Sequence, residues 1–195
     1  RLLTTDETGG PLPNYDSSLD EHPIDVGRWH RVIDRVRVAS DYDAAAHEDS
    51  ALGMAAHASF NSYVAVVVRV ARDPRGGPLL REAWVSADVG RITNRDRVVA
   101  QFEGAVVFGA TLARYGNITL DDGAVVQSNF RDYRLLRMHE SPHHVHVDLV
   151  TEGEAPGGVG EPGVPPVAPA IANAWFNLTG ERVRELPFQP GQLPT

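Results

Sequence analysis

Cysteine is absent from this chain of 195 residues. The chain therefore supplies no thiolate ligand for a metal and no disulfide, so any cluster held by thiolates must lie on another chain. Cysteine usage is also a clue to compartment, and its absence leaves that question open. We favour the cytoplasm, with the periplasm as the alternative if an export signal lies upstream.

An excess of positive charge and a long apolar run are also missing. Eighteen Lys and Arg residues stand against 26 Asp and Glu, which gives a formal net charge of −8. Without a basic field to bind a phosphate backbone, we expect no nucleic-acid partner. The apolar stretches at 63–68 and 98–113 are shorter than the ~18 residues that a membrane span requires, so we expect no membrane insertion.

The first 24 residues show no sustained periodicity and are rich in Pro, Gly, Asp and Ser. The chain begins at Arg1 with neither methionine nor a signal-peptide pattern. We therefore expect an extended segment over 1–24, a folded domain over 25–188 and a tail over 189–195. The beginning resembles a cut end, which suggests a split subunit, a processing product or a fragment.

Periodicity divides the remainder into interspersed helices and strands, which predicts an α+β fold. Helices are expected at 26–38 after the N-cap Asp25, at 95–114 after the N-cap Asn94, and at 167–178 before Gly180. Strands are expected at 52–57, 63–71, 79–87, 145–150 and 182–186, with a hairpin over 117–128 and an irregular segment over 129–142. The run 63–71 is dense enough in β-branched residues to be buried on both faces.

Two helices carry further expectations. The first has arginines at 28, 31 and 35, which the helical spacing assigns to an outer, arginine-rich face. The second contains Gly104 and Gly109, which would leave room for another backbone to approach closely.

A loop at 157–166 is the most informative local feature. Its sequence, Gly-Gly-Val-Gly-Glu-Pro-Gly-Val-Pro-Pro, places one carboxylate, Glu161, among glycines and prolines. Glycines permit positive φ and close approach, whereas prolines fix φ and remove amide donors. Such a loop can hold a general base against a reacting centre. The loop also satisfies G-x-G-x-x-G, but prolines separate it from the next helix, which fits a dinucleotide-binding motif poorly.

Two further features invite a functional interpretation. His144 and His146 alternate on a predicted strand and could chelate a metal, but the set of ligands is incomplete, so we expect no metal ligand here. Gln101 interrupts an apolar helix pattern. It is either a surface glutamine at the edge of the apolar stripe or an amide that recognises a ligand, and the pattern does not decide between these.

Several segments together resemble one family. They are Ala-Asp-Val-Gly at 87–90, Asn94, Gln-Phe-Glu-Gly-Ala at 101–105, Val-Gln-Ser-Asn-Phe-Arg-Asp-Tyr at 126–133, and the loop at 157–166. In order and spacing they are similar to the C-terminal region of molybdopterin-binding large subunits of the xanthine dehydrogenase and aldehyde oxidase family, in particular its isoquinoline 1-oxidoreductase beta-subunit branch. The resemblance covers residues 24 to 188. It implies that 25–188 is the C-terminal part of a molybdenum-cofactor-binding domain.

The resemblance implies roles for four residues. Glu161 matches the active-site base of enzymes that oxidise an aldehyde or N-heterocycle with water as the oxygen source. Gln101 matches a glutamine that contacts the pterin, Val159 matches a residue lining the same pocket, and neighbouring Gly160 is assigned to that pocket as well. None of the four is implied to be a metal ligand.

The same resemblance implies cofactors and partners. The cofactor is molybdopterin carrying molybdenum, in its cytosine dinucleotide form. The partners are a chain with the remainder of the subunit, because the family's other cofactor loops precede residue 1, and an iron–sulfur subunit that removes electrons, with FAD or haem as further carriers. The alternative is a non-catalytic remnant or interaction domain that retained the fold. The complete Gly/Pro loop around Glu161 favours the catalytic interpretation.

Overall fold

A four-stranded sheet with helices on both faces organises the chain. The computed structural model describes residues 24–44, 49–74, 76–150 and 155–188. The predicted tail 189–195 and, apart from Ile24, the predicted N-terminal segment lie outside these residues, so the domain bounds remain a prediction. In order, the elements are α1 Val26–Ala39, β1 Ser50–Ser59, β2 Ser62–Arg72, β3 Pro78–Asp88, α2 Arg95–Tyr115, β4 Leu120–Asp121, β5 Ala124–Val125, a short 3-10 helix Met138–Glu140, β6 His144–Val150 and α3 Val167–Thr179.

The sheet has the order β1-β2-β3-β6. The first three strands are antiparallel neighbours, and β6 returns parallel to β3 after the crossover through α2. Phe60 and Asn61 turn the chain between β1 and β2 with φ of 52° and 58°, as a two-residue hairpin matched to strand twist requires. β2 lies in the middle of the sheet, and its residues 62–68 are all buried, as the sequence predicted.

The two faces of the sheet are covered by different helices. On one face α1 packs Val32 and Val36 against a cluster that includes Tyr63 and Trp84. On the other face α2 and α3 enclose a larger core with the alternate residues of β2 and β3. Because side chains alternate along a strand, the apolar run of β2 supplies both cores.

The prediction that Arg28 belongs to an outer, arginine-rich face of α1 is wrong. Arg28 is only 6% exposed and pairs with the fully buried Asp88 at the end of β3. Arg31 reaches the same carboxylate, and Arg35 forms two hydrogen bonds with Asp148 on β6. These hydrogen bonds from Arg35 hold the pKa of the Asp148 carboxyl below its ordinary value. Helical spacing could not reveal partners on strands distant in sequence.

α2 begins as predicted, because the Asn94 side chain accepts a hydrogen bond of 3.1 Å from the Arg97 amide. Its two glycines behave differently. A Cβ at Gly109 would lie 2.7 Å from Cβ of Val167 in α3, so close approach explains this glycine. Around Gly104 no atom of the described residues lies within 4 Å of such a Cβ, and the expected close neighbour is absent there.

α3 lies across β1 with almost no space between the two backbones. A Cβ at Gly53 would lie 2.1 Å from the Ala174 amide nitrogen. The side-chain amides of Asn173 and Asn177 donate to the carbonyls of Met54 and Leu52 on the open edge of β1. These bonds satisfy groups that would otherwise invite another strand.

The end of α3 is as predicted, but the strand expected after it is not formed. Gly180 ends the helix with φ of 79°. Residues 182–186 pair with no strand in the described part of the chain. Instead the Arg182 guanidinium lies 3.5 Å from the centre of the Phe176 ring.

The hairpin predicted over 117–128 is shorter than expected, with two residues in each strand. We call residues 117–138 the arm. Its exposed apolar side chains are Ile118, Leu120, Val125, Val126, Phe130, Leu135 and Met138. No described helix is both long and apolar enough to cross a membrane.

The arm is tied to the end of α2 by the buried Glu140. This carboxylate accepts hydrogen bonds from the Tyr115 hydroxyl at 2.6 Å, Arg134 at 2.7 Å and the Arg137 amide at 2.9 Å. Burial acts to raise the pKa of Glu140, but these hydrogen bonds and the nearby arginines together hold it below its ordinary value. Glu140 thus helps to fix the course of the irregular segment predicted at 129–142.

Candidate functional site

The loop that carries Glu161 is anchored to the sheet by backbone hydrogen bonds. The Gly157 amide donates to the Val89 carbonyl just beyond β3, and the Gly158 amide donates to the Phe60 carbonyl in the β1–β2 turn, both at 2.8 Å. The Ser62 hydroxyl donates to the Gly158 carbonyl at 2.7 Å. The first part of the loop therefore has a fixed position relative to two sheet strands.

Close approach, and not positive φ, explains three of the loop glycines, Gly157, Gly158 and Gly163. None of Gly157, Gly158, Gly160 and Gly163 belongs to the glycines with positive φ. A Cβ at Gly157 would lie 2.3 Å from Oγ of Ser62, and one at Gly158 would lie 2.7 Å from Cβ of Phe60. The sequence-based expectation that the glycines serve both purposes is therefore only half confirmed.

Glu161 itself is exposed. Its carbonyl accepts a hydrogen bond of 2.9 Å from the Val164 amide, which closes a turn around Pro162 and Gly163. Among the residues that the structure describes, no side chain forms a hydrogen bond or ion pair with its carboxylate. The turn fixes the backbone of Glu161 and leaves both carboxylate oxygens available to a ligand.

The loop of Glu161 packs against the helix α2, which carries Gln101. A Cβ at Gly163 would lie 2.7 Å from Cδ1 of Phe102 and 2.8 Å from Cβ of Ala105, so the loop lies directly on this turn of the helix. Gln101 is exposed next to the fully buried Phe102. Its side chain therefore lies on the surface of α2, and it belongs to the part of the helix on which the loop packs.

The two remaining predicted site residues differ in packing. Val159 is half-buried and packs against the core. Gly160 is exposed, and a Cβ there would meet no described atom within 4 Å. The loop thus presents open backbone at Gly160 and a carboxylate at Glu161. The adjoining helix α2 adds the side-chain amide of Gln101. This set can accept a proton and can hydrogen-bond a ligand that carries both donors and acceptors.

A separate cleft of about 680 Å³ lies on another side of α2. It is lined by Glu103, Gly104 and Phe108 of the helix and by His143 and His144 before and at the start of β6. Neither Glu161 nor Gln101 lines it. The helical pattern pointed to Gly104 but gave no sign of the cleft, because the pairing of β6 with β3 brings its walls together.

The two histidines of β6 lie side by side on the sheet. His144 and His146 do point the same way, with ring centres 5.5 Å apart, and Nε2 of His146 lies 2.9 Å from Oε1 of Glu82. No group of three or more ligating side chains suited to a metal occurs in the described ranges. Ring stacking and a hydrogen bond with Glu82 on the sheet surface account for these residues.

Comparison with known proteins assigns the chain to a family. The model of the molybdopterin cofactor-binding domain matches residues 26–142. The beta subunit of isoquinoline 1-oxidoreductase from Brevundimonas diminuta is 36% identical over 184 residues, which are 88% of this chain and 23% of that protein. A protein from Gluconacetobacter polyoxogenes, named as a membrane-bound aldehyde dehydrogenase (pyrroloquinoline-quinone), is 34% identical over 56% of this chain and 14% of its own length.

The fold agrees with the sequence comparison. The crystal structure of an aldehyde oxidoreductase from Desulfovibrio desulfuricans matches with a TM-score of 0.57 and 27% identity, over 66% of this chain and 15% of that one. The chain thus spans less than a quarter of the length of the curated relatives it matches. The predicted α+β fold of molybdenum-cofactor-binding type is confirmed. With the family model matching more than half of its residues, the chain belongs to the molybdopterin cofactor-binding domain family.

Proposed function

We propose that this chain supplies the general base and part of the cofactor pocket of a molybdenum hydroxylase that oxidises an aldehyde or an N-heterocycle. One observation carries the proposal. Glu161 is an exposed carboxylate on a loop that is anchored at Gly157 and Gly158 and packed at Gly163 onto the helix of Gln101. The names of two relatives, an isoquinoline oxidoreductase and an aldehyde dehydrogenase, suggest the two substrate classes.

Glu161 accepts the proton. When water supplies the oxygen that is added to the substrate, its proton must be removed as the new bond forms, and a carboxylate oxygen is suited to that task. The turn closed by the Glu161 carbonyl and the Val164 amide restricts the backbone, so the carboxylate searches few positions. If the remainder of the protein covers the loop, bulk water would be excluded from the site of this proton transfer.

Three residues of the pocket fit a pterin. The side-chain amide of Gln101 offers donors and an acceptor, which match the mixed hydrogen-bonding edge of such a ring system. Gly160 leaves open space along the loop, and Val159 offers an apolar surface beside it. The cofactor, when bound, would take up the electrons that leave the substrate. We assign it to molybdopterin in its cytosine dinucleotide form.

Assembly with further protein completes the site. The relatives are several times longer than this chain, and one is named as a beta subunit. The exposed apolar side chains of the arm, such as Phe130 at 81% and Met138 at 92% exposure, suit burial against another protein surface. We assign that surface to the remainder of the cofactor-binding subunit. An iron–sulfur subunit would then carry the electrons away, since this chain has no cysteine.

The test replaces Glu161 by glutamine in the assembled enzyme. The amide keeps the shape of the side chain but cannot accept the proton, so turnover should fall by at least ~10³-fold at full molybdenum content. Glu185→Gln is the matched control, because Glu185 is an exposed glutamate outside the loop. Turnover of Glu161→Gln within about tenfold of the parent would reject the base assignment and favour a chain that contributes only the fold.

A further inference from the structure

The anchors of the Glu161 loop lie on two segments of the sheet. The Gly157 amide is bound by the carbonyl of Val89, which directly follows Asp88 at the end of β3. The Gly158 amide is bound by the carbonyl of Phe60, which precedes Asn61 in the β1–β2 turn. The position of the loop therefore depends on how these two segments are held relative to each other.

One guanidinium joins both segments. Arg28 donates from Nε to Oδ2 of Asp88 at 3.0 Å and from Nη2 to Oδ1 of Asp88 at 2.8 Å. It also donates from Nη1 to Oδ1 of Asn61 at 3.2 Å and from Nη2 to the Asn61 carbonyl at 3.3 Å. A further hydrogen bond of 3.3 Å from Nη2 reaches the Asp88 carbonyl. Arg28 thus connects the residues next to both anchor carbonyls.

The shape of arginine matters for this contact. Its planar group directs five N–H donors in a fixed fork, whereas a lysine ammonium is a point charge with three donors on a flexible stem. Arg28 is buried, and its guanidinium lies 4.6 Å from the centre of the Tyr63 ring. A buried carboxylate requires a partner, so Asp88 holds the guanidinium of Arg28 in place. The other N–H donors of Arg28 then fix the β1–β2 turn at Asn61.

We propose that Arg28 is a positioning residue for Glu161. It fixes the β1–β2 turn against the end of β3, and these two segments fix the loop that begins at Gly157, four residues before the carboxylate. The proposal rests on the proposed role of Glu161 as the base, but its structural half concerns only this chain's own backbone.

The experiment compares Arg28→Lys with Arg35→Lys in the assembled enzyme. Both arginines lie on α1 and pair with a carboxylate on the sheet, but the carboxylate that Arg35 bonds is Asp148 on β6, whereas Arg28 bonds the residues next to the two anchor carbonyls. Hydrogen–deuterium exchange of peptides covering 155–161 is the first readout. Arg28→Lys should accelerate exchange of the Gly157 and Gly158 amides at least ~10-fold, and Arg35→Lys should leave it unchanged.

The second readout is kcat per bound molybdenum. Arg28→Lys should lower it ~10- to 100-fold with KM little changed, because a displaced base affects the chemical step more than binding. Unchanged exchange at 155–161 would overturn the proposal, as would faster exchange with a parental kcat. Glu161→Gln distinguishes the two hypotheses: a parental rate in that variant rejects the base assignment, whereas the exchange result tests Arg28 regardless.

If Arg28→Lys does not assemble, Asn61→Gly and Asn61→Asp replace it. Both residues tolerate the positive φ of 58° at this position, but only aspartate keeps an oxygen for Nη1 of Arg28. Faster exchange at 155–161 in Asn61→Gly than in Asn61→Asp would support the proposal. Equal exchange in the two variants would overturn it.

Discussion

Gly163 and Phe102 are in direct contact, and this contact joins the loop of Glu161 to the helix of Gln101. A Cβ at Gly163 would lie only 2.7 Å from Cδ1 of the Phe102 ring. Glu161 precedes Gly163 by two residues, and Gln101 precedes Phe102 by one. The relative position of the two segments that carry the carboxylate and the amide therefore depends on a buried apolar contact that neither side chain makes.

Substitution of Gly163 tests this contact. Gly163→Ala would place a methyl group against Phe102 and Ala105, which must shift to admit it. We expect a loss of about 1 to 3 kcal/mol in unfolding free energy. Gly160→Ala is the control in the same loop, because a methyl group there meets no described atom within 4 Å. Chemical denaturation measures both, and equal stabilities of the two variants would contradict the packing described.

Gly160→Ala also tests the assignment of Gly160 to the cofactor pocket. The chain itself has room for the methyl group, so its stability should change by less than about 0.5 kcal/mol. If the cofactor occupies this space, the assembled variant should hold less molybdenum than the parent. Metal analysis of the purified complex measures this, and parental molybdenum content would remove Gly160 from the pocket.

Gln101→Ala should fail differently from Glu161→Gln. Loss of the amide removes hydrogen bonds to the pterin, so cofactor occupancy should fall first while turnover per bound molybdenum stays near the parent value. Molybdenum content and kcat per molybdenum, measured together, separate these effects. Gln101→Glu is a useful companion, because it keeps the size of the side chain and the acceptors but loses the amide donors. Parental occupancy in Gln101→Ala would reject the pterin contact.

Gly53 tests the contact between β1 and α3. A methyl group at this position would lie 2.1 Å from the Ala174 nitrogen and 2.2 Å from the Ala170 carbonyl oxygen, and neither backbone atom can rotate away. Gly53→Ala should therefore cost at least about 3 kcal/mol or prevent folding. Gly104→Ala serves as the opposite control, because it lies in a helix with open space around it and should stabilise by about 0.5 to 1 kcal/mol. Thermal unfolding of both variants gives the comparison.

Asp148 should make a pH-dependent contribution to stability. Hydrogen bonds from Arg35 hold its pKa in the folded state below the ordinary 3.8, so the contribution is full above pH 3.8 and is lost as pH falls through the lower folded value. Since both side chains are more than a third exposed, we expect only about 0.5 kcal/mol at pH 7. In urea unfolding from pH 7 to pH 3, the difference between parent and Asp148→Asn should shrink at the acid end. A constant difference would contradict this assignment.

Local signals in the sequence predicted most of the elements. Side-chain caps at Asp25 and Asn94 start α1 and α2, and the positive φ of Gly180 ends α3, because each depends on neighbours within a few residues. The strands were predictable from their β-branched and alternating residues. The strand expected at 182–186 was wrong, because a strand requires a partner and pattern alone cannot supply one.

The sequence by itself determined the family resemblance, the α+β class and the carboxylate at the centre of the Gly/Pro loop, since these depend on residue types in a fixed order. Only the tertiary structure decided that Arg28 is buried, that Gly157, Gly158 and Gly163 serve close approach, and that the loop packs on the helix of Gln101. The partners involved, Asp88, Ser62 and Phe102, are distant in sequence from the residues they fix. Which of them meet depends on how the helices pack on the sheet, and no local pattern encodes that.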